Sequence, residues 1–248
     1  MPRFFVAKET IRDGIVVISG EDAHHISRSL RMAVGERVVV CDAEGTDYDC
    51  VLTDFSPDCV RARVADSRPS ETEPPYFAAL YQGLPKADKL DHIIQKAVEC
   101  GISRIIPFES ERCVVRIKSG EDDRKSSRRN RIAAEAAKQC GRGRLPAVES
   151  ERPFKAILGD AAKFDLALFC YEGEGTRPLP AVLAEAKPKM PAYPSIALLI
   201  GSEGGFSKGE AEAAKAAGWI PVGLGKRILR TETAPIFALA GISCAWEL

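Results

Sequence analysis

The sequence predicts an α/β protein in two parts, a small all-β domain over residues 1–70 and an alternating α/β domain over residues 71–248. Three observations predict it. Short Val- and Ile-rich runs separated by turn signals crowd the N-terminal stretch, as in a small β-barrel. A polar, proline-rich segment without periodicity, residues 67–75 (SRPSETEPP), marks a linker. Beyond it strands alternate with amphipathic helices, a grammar that implies a parallel sheet with helices on both faces. A chain of 248 residues has room for one large or two modest domains and for a substantial core.

In the first part, residues 14–19, 36–41, 48–54 and 59–65 are the strands. They are divided by Asp13-Gly14, Ala43-Glu44-Gly45 and Ser56-Pro57-Asp58. Residues 21–32 (EDAHHISRSLRM) break this pattern as a short helix. Ile26 and Leu30, four apart, take its buried side, and His24, Arg28 and Arg31 share the other.

In the second part, residues 76–82 are a strand. Residues 88–100 are an amphipathic helix with Leu90, Ile93, Ile94, Ala97 and Val98 on one stripe and Gly101 as its stop. Strands are expected at 104–108 and 113–117, and a helix at 128–140 with Ile132, Ala133, Ala136, Ala137 and Cys140 inward. Then come strand 164–171, helix 179–187, strand 195–200, helix 208–217 closed by Gly218, strand 219–224 and helix 234–246. The last helix is apolar, small-residued and almost uncharged. It is therefore expected to be buried, against a second subunit among other choices.

Two loops carry the chemistry. The first, Gly201-Ser202-Glu203-Gly204-Gly205-Phe206-Ser207, follows a continuous apolar run typical of a buried parallel strand. Its glycines allow a sharp turn and close approach to the backbone, and Ser207 with Glu210 makes a capping box that starts a helix. The second, Leu224-Gly225-Lys226-Arg227-Ile228-Leu229-Arg230-Thr231-Glu232-Thr233, leaves strand 219–224. Thr233 serves as N-cap, with Pro235 in the first helical turn. A tight βα turn explains either loop alone. Two on one sheet edge, with Glu203, Arg230 and Glu232 beside them, make a ligand crevice. Neither loop is a P-loop or a G-x-G-x-x-G fingerprint, which excludes nucleoside triphosphates and dinucleotides held by those devices.

Net charge is zero, so no global field advertises nucleic acid. Locally, Arg112 to Arg144 holds eleven Lys or Arg against four Asp or Glu. A solvated helix face explains such a run; its spread over loop, helix and turn also suits a phosphate-binding surface. The eight cysteines show no C-x-x-C and no zinc spacing with the three histidines. That usage suits a reducing cytoplasm without disulfides, and no signal peptide, membrane span or metal site is expected.

Through most of its length the chain resembles the ribosomal RNA small subunit methyltransferase E family, SPOUT-class S-adenosylmethionine enzymes that form N3-methyluridine in 16S rRNA. The resemblance lies in Pro2-Arg3-Phe4-Phe5, in His25-Ile26-Ser27-Arg28-Ser29-Leu30-Arg31-Met32 and in Ile94-Gln95-Lys96-Ala97-Val98-Glu99. It continues in Ser110-Glu111-Arg112-Cys113, in Glu135-Ala136-Ala137-Lys138-Gln139-Cys140-Gly141-Arg142 and in the two loops. The family's usual I-G-P-E-G-G departs here in one place, Ser202 standing where a proline is usual, which bears on loop stiffness. The resemblance implies a PUA-like N-terminal barrel, a C-terminal α/β trefoil-knot domain and a homodimer in the cytoplasm. It also implies 16S rRNA or the small ribosomal subunit as partner, lying between barrel and knot domain. Residue by residue, it places the cofactor against Gly201, Glu203, Gly204, Leu224, Gly225, Ile228, Leu229 and Arg230, with Cys170 and Tyr171 as a third wall. Arg3, His24, Arg28 and Arg31 fit an RNA contact on the barrel side, and Lys86, Lys89, Arg112, Arg142 and Arg144 on the other.

The reaction needs little from the protein beyond aim, since the cofactor carries its own electrophile. The uracil imide nitrogen becomes a nucleophile when its proton leaves, and the negative charge spreads onto two carbonyl oxygens. Arg230 is the candidate cation there, and Glu203 or Glu232 the candidate proton acceptor. Either glutamate serves equally well as a structural tie to loop N–H groups. Two rivals remain at this stage: a knot methyltransferase acting on another position such as a ribose 2′-OH, and a non-enzymatic RNA-binding protein on the same scaffold.

Overall fold

A computed structural model describes residues 1–117 and 122–248, so Lys118 and Glu121 of the basic run lie outside the described residues. The chain divides into two compact units. One is Met1–Glu73 with Ala137–Leu145, and the other is Pro74–Ala136 with Pro146–Leu248.

The first unit contains β1 (Arg3–Phe5), β2 (Ile11–Arg12), β3 (Ile15–Ser19), α1 (Gly20–His24), β4 (Arg37–Cys41), β5 (Thr46–Phe55) and β6 (Cys59–Pro69). They form one six-stranded sheet in the order β1-β4-β5-β6-β3-β2, antiparallel except for the β1–β4 pair. Alternate residues face inward, as a strand's two-residue period requires. Val16, Ile18, Val38, Val40, Cys50, Leu52, Val60 and Ala62 thus meet Phe4 and Ile26 in one core. Burial pushes the Cys50 thiol up to about 11, so it packs as a small hydrophobe.

Three expectations are corrected in this unit. The short helix is α1 followed by a π-helical turn, His25–Ser29, in which the Leu30 N–H donates to the His25 carbonyl at 2.9 Å. The wider turn carries Leu30 off the buried stripe: Ile26 is fully buried, while Leu30 is 41% exposed. Residues 67–69 are not linker but the end of β6, paired to Thr46, Asp47 and Tyr48. The residues that follow are also tied down. Glu73 accepts from Arg142 Nε (2.9 Å) and Nη2 (2.8 Å) and from the N–H groups of Gly143 (2.7 Å) and Arg144 (3.0 Å).

The second unit contains β7 (Phe77–Gly83), α2 (Lys89–Glu99), β8 (Arg104–Glu109), β9 (Ala147–Val148), β10 (Arg152–Pro153), α4 (Phe154–Ile157) and β11 (Leu166–Cys170). It continues with β12 (Arg177–Pro178), α5 (Leu179–Ala186), β13 (Ser195–Ile200), α6 (Lys208–Ala216), β14 (Ile220–Gly223) and α7 (Ala234–Trp246). Helix α3 (Asp122–Cys140) begins six residues before the expected 128, and the division between the units falls within it. The sheet is parallel in every pair, in the order β10-β8-β7-β13-β11-β14-β12, with β9 also on β8. One face, through Ala79, Tyr81, Ala197, Leu199 and Phe169, packs on Phe154, Ile157, Ala211 and Ala214 of α4 and α6. The alternate residues Leu80, Leu168 and Leu198 are equally buried on the other face, where α7 packs on α2, α5 and β13.

Residues 113–117, expected as a strand, are a loop. Cys113 is buried, but Val114 is 67% exposed and Ile117 36%, so the run lacks the alternation of a half-buried strand. Its backbone is satisfied locally instead, the Ile117 N–H donating to Glu109 Oε2 at 2.6 Å. The capping box at α6 is present, Ser207 Oγ accepting from the Glu210 N–H (3.3 Å) and Glu210 Oε2 from the Ser207 N–H (2.9 Å). Ser207→Ala should therefore lower the unfolding free energy by about 1 kcal/mol in a denaturant titration. Thr233 does occupy the N-cap of α7, but its side chain makes no capping bond.

Candidate active site

Parallel pairing sets the site. β7 and β13 are neighbours in register, Gln82 opposite Ile200, so the loops that leave them emerge side by side. β11 lies between β13 and β14, which brings Cys170 and Tyr171 between the two glycine loops at the carboxyl edge of the sheet. Open α/β sheets bind ligands at that edge.

The first loop sits hard on its neighbours. A Cβ on Gly83 would lie 2.5 Å from the Ser202 nitrogen, one on Gly201 2.9 Å from the Phe206 ring, and one on Gly204 2.8 Å from the Arg112 carbonyl. The second loop is pinned from inside. Thr231 Oγ1 donates to the Gly201 carbonyl at 2.7 Å and accepts from Gln82 Nε2 at 3.0 Å, and all three residues are buried. Gln82 Oε1 and Ser202 Oγ are enclosed without a hydrogen-bond partner. Gly225 has φ +113° and open space where a Cβ would stand. The open glycine and the backbone of the two loops form a cradle for a ligand at this edge.

Lys89, the first residue of α2, lies between the loops. Its Nζ is 2.9 Å from Glu203 Oε1 and 3.2 Å from Glu232 Oε2. The Lys86 N–H donates to the same Glu203 oxygen at 3.2 Å. Partial burial pushes the Glu203 carboxyl up, but Lys89 and the N–H groups of Glu203 and Lys86 outweigh it and hold the group below the usual glutamate range. At Glu232 burial acts the same way and is outweighed by its own N–H, Lys89 and Arg230. Both are thus charged near neutrality and are weak bases. The Arg230 side chain is 81% exposed, with Nη1 3.9 Å from Glu232 Oε1. Ile228 is 84% exposed, while Leu224 and Leu229 are half-buried. Burial pushes the Cys170 thiol up to about 12, which rules it out as a neutral-pH nucleophile. Tyr171 stacks on Phe169 with centroids 5.0 Å apart.

The model of an RNA methyltransferase domain matches residues 72–243, and that of an RNA methyltransferase PUA domain matches residues 18–64. The ribosomal RNA small subunit methyltransferase E of Bacillus subtilis is 34% identical, with 100% of this chain and 98% of that protein covered. The chain belongs to the ribosomal RNA small subunit methyltransferase E family. The methyltransferase E of Synechocystis is 32% identical over 99% of this chain and 78% of its own length. A crystal structure of the methyltransferase E of Neisseria gonorrhoeae bound to S-adenosyl methionine is 27% identical, with a TM-score of 0.84, covering 99% of this chain and 98% of that one.

Within this methyltransferase E fold, the residues assigned to the cofactor, including Glu203 and Arg230, gather along the two loops and the end of β11. The RNA assignments divide. Arg28, Arg31 and Arg144 are exposed, and His24 is half-buried. Arg112 is exposed, with Nη1 on the Gly204 carbonyl at 3.3 Å, and Lys86 meets Glu203 through its backbone. Arg142 is only 4% exposed, and its Nε and Nη2 donate to Glu73 inside the first unit. Arg3 is likewise engaged, bidentate to Asp47 at 2.7 and 2.8 Å. Sequence reasoning missed Gln82, Gly83 and Thr231. A polar residue and a glycine closing an apolar strand were the available signal.

Proposed function

We propose that this chain transfers the methyl group of S-adenosylmethionine to N3 of a uridine in 16S rRNA. The observation that carries the reading is the pair of glycine loops flanking the end of β11, in a chain that aligns end to end with a small subunit methyltransferase E. S-adenosylmethionine, when bound, supplies an electrophilic methyl group. Backbone groups of Gly201, Gly204, Leu224, Gly225, Ile228 and Leu229 hold it. Arg230, free to swing, meets the negative charge that develops on the uracil oxygens. Glu203 and Glu232, held ionised, are loop ties first, and most of the acceleration comes from alignment.

Residues 1–70 serve as the RNA-binding domain and 71–248 as the methyltransferase domain. The latter is a trefoil knot in which the second loop passes inside the first, a reading supported by the Thr231–Gly201 and Thr231–Gln82 bonds. The enzyme works in the cytoplasm as a homodimer; Phe237, 45% exposed on the apolar α7, is the support for the second copy. Among the described residues no helix is long and apolar enough to cross a membrane.

Small-subunit rRNA, free or in whole subunits, should yield 3-methyluridine on incubation with protein and S-adenosylmethionine, read by nucleoside mass spectrometry. A 2′-O-methyl product would point to the other chemistry and refute this one. Arg230→Ala should bind cofactor within a few fold of normal and lose turnover by about 100-fold, as for removal of an oxyanion donor. Arg28→Ala or Arg31→Ala should weaken RNA binding and lower its salt slope by about 0.7–0.9 for each phosphate no longer neutralised.

A further inference from the structure

We propose that Lys89 is the positioning residue that sets the distance between the two cofactor loops, by bridging Glu203 of the first to Glu232 of the second. The inference rests on the reading of these loops as the cofactor site.

The second loop runs from the end of β14 at Gly223 to the start of α7 at Ala234, and Gly225, Lys226, Arg227 and Ile228 in it are exposed. Its inner anchor is Thr231, fixed to Gly201 and Gln82. On the outer side the tie is electrostatic: one ammonium, with three N–H donors, reaches a carboxylate from each loop. The groups facing it are few. Glu203 meets Lys89 and the N–H groups of Lys86 and Glu203 itself, and Glu232 meets Lys89, its own N–H and, at 3.9 Å, Arg230. Without Lys89, two negative charges would be left on either side of a vacated position, and the loops would separate.

Two local rules are broken to put the lysine there. A cation in the first turn of a helix opposes the helix dipole, and acidic residues are favoured at that position. Ala87, two residues earlier, holds φ at +51°, a left-handed conformation that an alanine adopts only at a cost. That turn also aims the Lys86 N–H at Glu203. Two unfavourable choices meeting at one ion bridge mark a position kept for its geometry rather than for stability. The lysine side chain is 31% exposed, and surface bridges of that kind add little to folding.

Isothermal calorimetry on the full chain tests this, with S-adenosylmethionine as titrant and Lys89→Met and Lys89→Arg as variants, each checked for an unchanged melting temperature. Lys89→Met should weaken binding by about tenfold, the size of a coupling of about 1.4 kcal/mol. Lys89→Arg should recover part of it. In Lys89→Met the neighbouring carboxylates raise each other's proton affinity, so its affinity should improve as pH falls toward the carboxylate range, whereas the parent protein should not. Adding Glu232→Gln to Lys89→Met should restore affinity in part by removing the repulsion; a lysine that merely packed would allow no such rescue. Binding by Lys89→Met equal to the parent's at every pH overturns the proposal. If the parent itself fails to bind S-adenosylmethionine, it is the reading of the loops that fails.

Discussion

Gly83→Ala is expected to abolish most cofactor binding while the N-terminal unit stays folded. The new methyl carbon would stand 2.5 Å from the Ser202 nitrogen, 2.9 Å from the Gly201 carbonyl carbon and 3.2 Å from the Gly201 Cα. Carbon contacts are comfortable at about 3.5–4.0 Å, so a shift of about 1 Å is required. All three neighbours are backbone, so no side chain can swing aside, and the first glycine loop has to move as a piece. Overpacking of this kind costs about 1–3 kcal/mol. A displacement of about 1 Å in a site costs as much as 100-fold in rate. Calorimetry with S-adenosylmethionine and methyl transfer to rRNA should both show the loss. Gly209→Ala is the control: it lies in α6, meets nothing within 4 Å, and should be neutral or stabilise by about 0.5–1 kcal/mol. If Gly83→Ala binds cofactor as the parent does, the first loop is not a rigid wall of the site.

The second large effect concerns stability. Glu73→Ala should lower the unfolding free energy of the first unit by about 3–5 kcal/mol, because it removes the carboxylate that pairs with a buried guanidinium and accepts from two backbone N–H groups at once. Arg142 is only 4% exposed and has Nε and Nη2 on that carboxylate; Gly143 and Arg144 donate to it as well. Burial pushes the Glu73 carboxyl up, but Arg142 and the two N–H groups outweigh it, leaving it below the usual glutamate value. The folded-state value being depressed, the contribution is complete above the unfolded glutamate value and is lost as pH falls through the folded one. Chemical denaturation of the parent should show this acid loss, and the Ala variant should lack that component. A variant as stable as the parent at neutral pH would mean that the Glu73 cluster does not hold the unit together.

Legibility in the sequence followed the physics of each signal. Period-two runs in the first unit and the long apolar strands of the second were readable because burial imposes them on every residue. The capping box at Ser207 and Glu210 was equally plain, since its two bonds join residues three apart. The run at 113–117 misled because β-branched residues mark a strand only where an edge is free to pair with them. Leu30 misled because a π turn leaves no trace in a pattern counted at 3.6 residues per turn. In the site, the glycines and Glu203 stood out through composition. Gln82 and Thr231 did not, since a bond joining residues 149 apart has no local mark. The pairing of Arg142 with Glu73 was hidden in the same way, so the burial of that guanidinium could not be read from a run of basic residues.

The first unit borrows Ala137–Leu145 from far along the chain. The Cys41 thiol reaches the Gly143 carbonyl at 2.9 Å, Lys138 reaches Asp22 at 2.8 Å, and Glu73 waits for Arg142. During synthesis, then, the N-terminal sheet leaves the ribosome with its last pieces still unmade. The pairs of Asp22 with Lys138 and of Glu73 with Arg142 cannot form until about seventy more residues have been translated, a delay of several seconds at ordinary elongation rates. A chain released early would carry a carboxylate and a sheet edge awaiting partners that never arrive. Maturation of this protein is therefore tied to completion of its middle third, and cutting after residue 70 would yield a fragment that lacks part of its own interior.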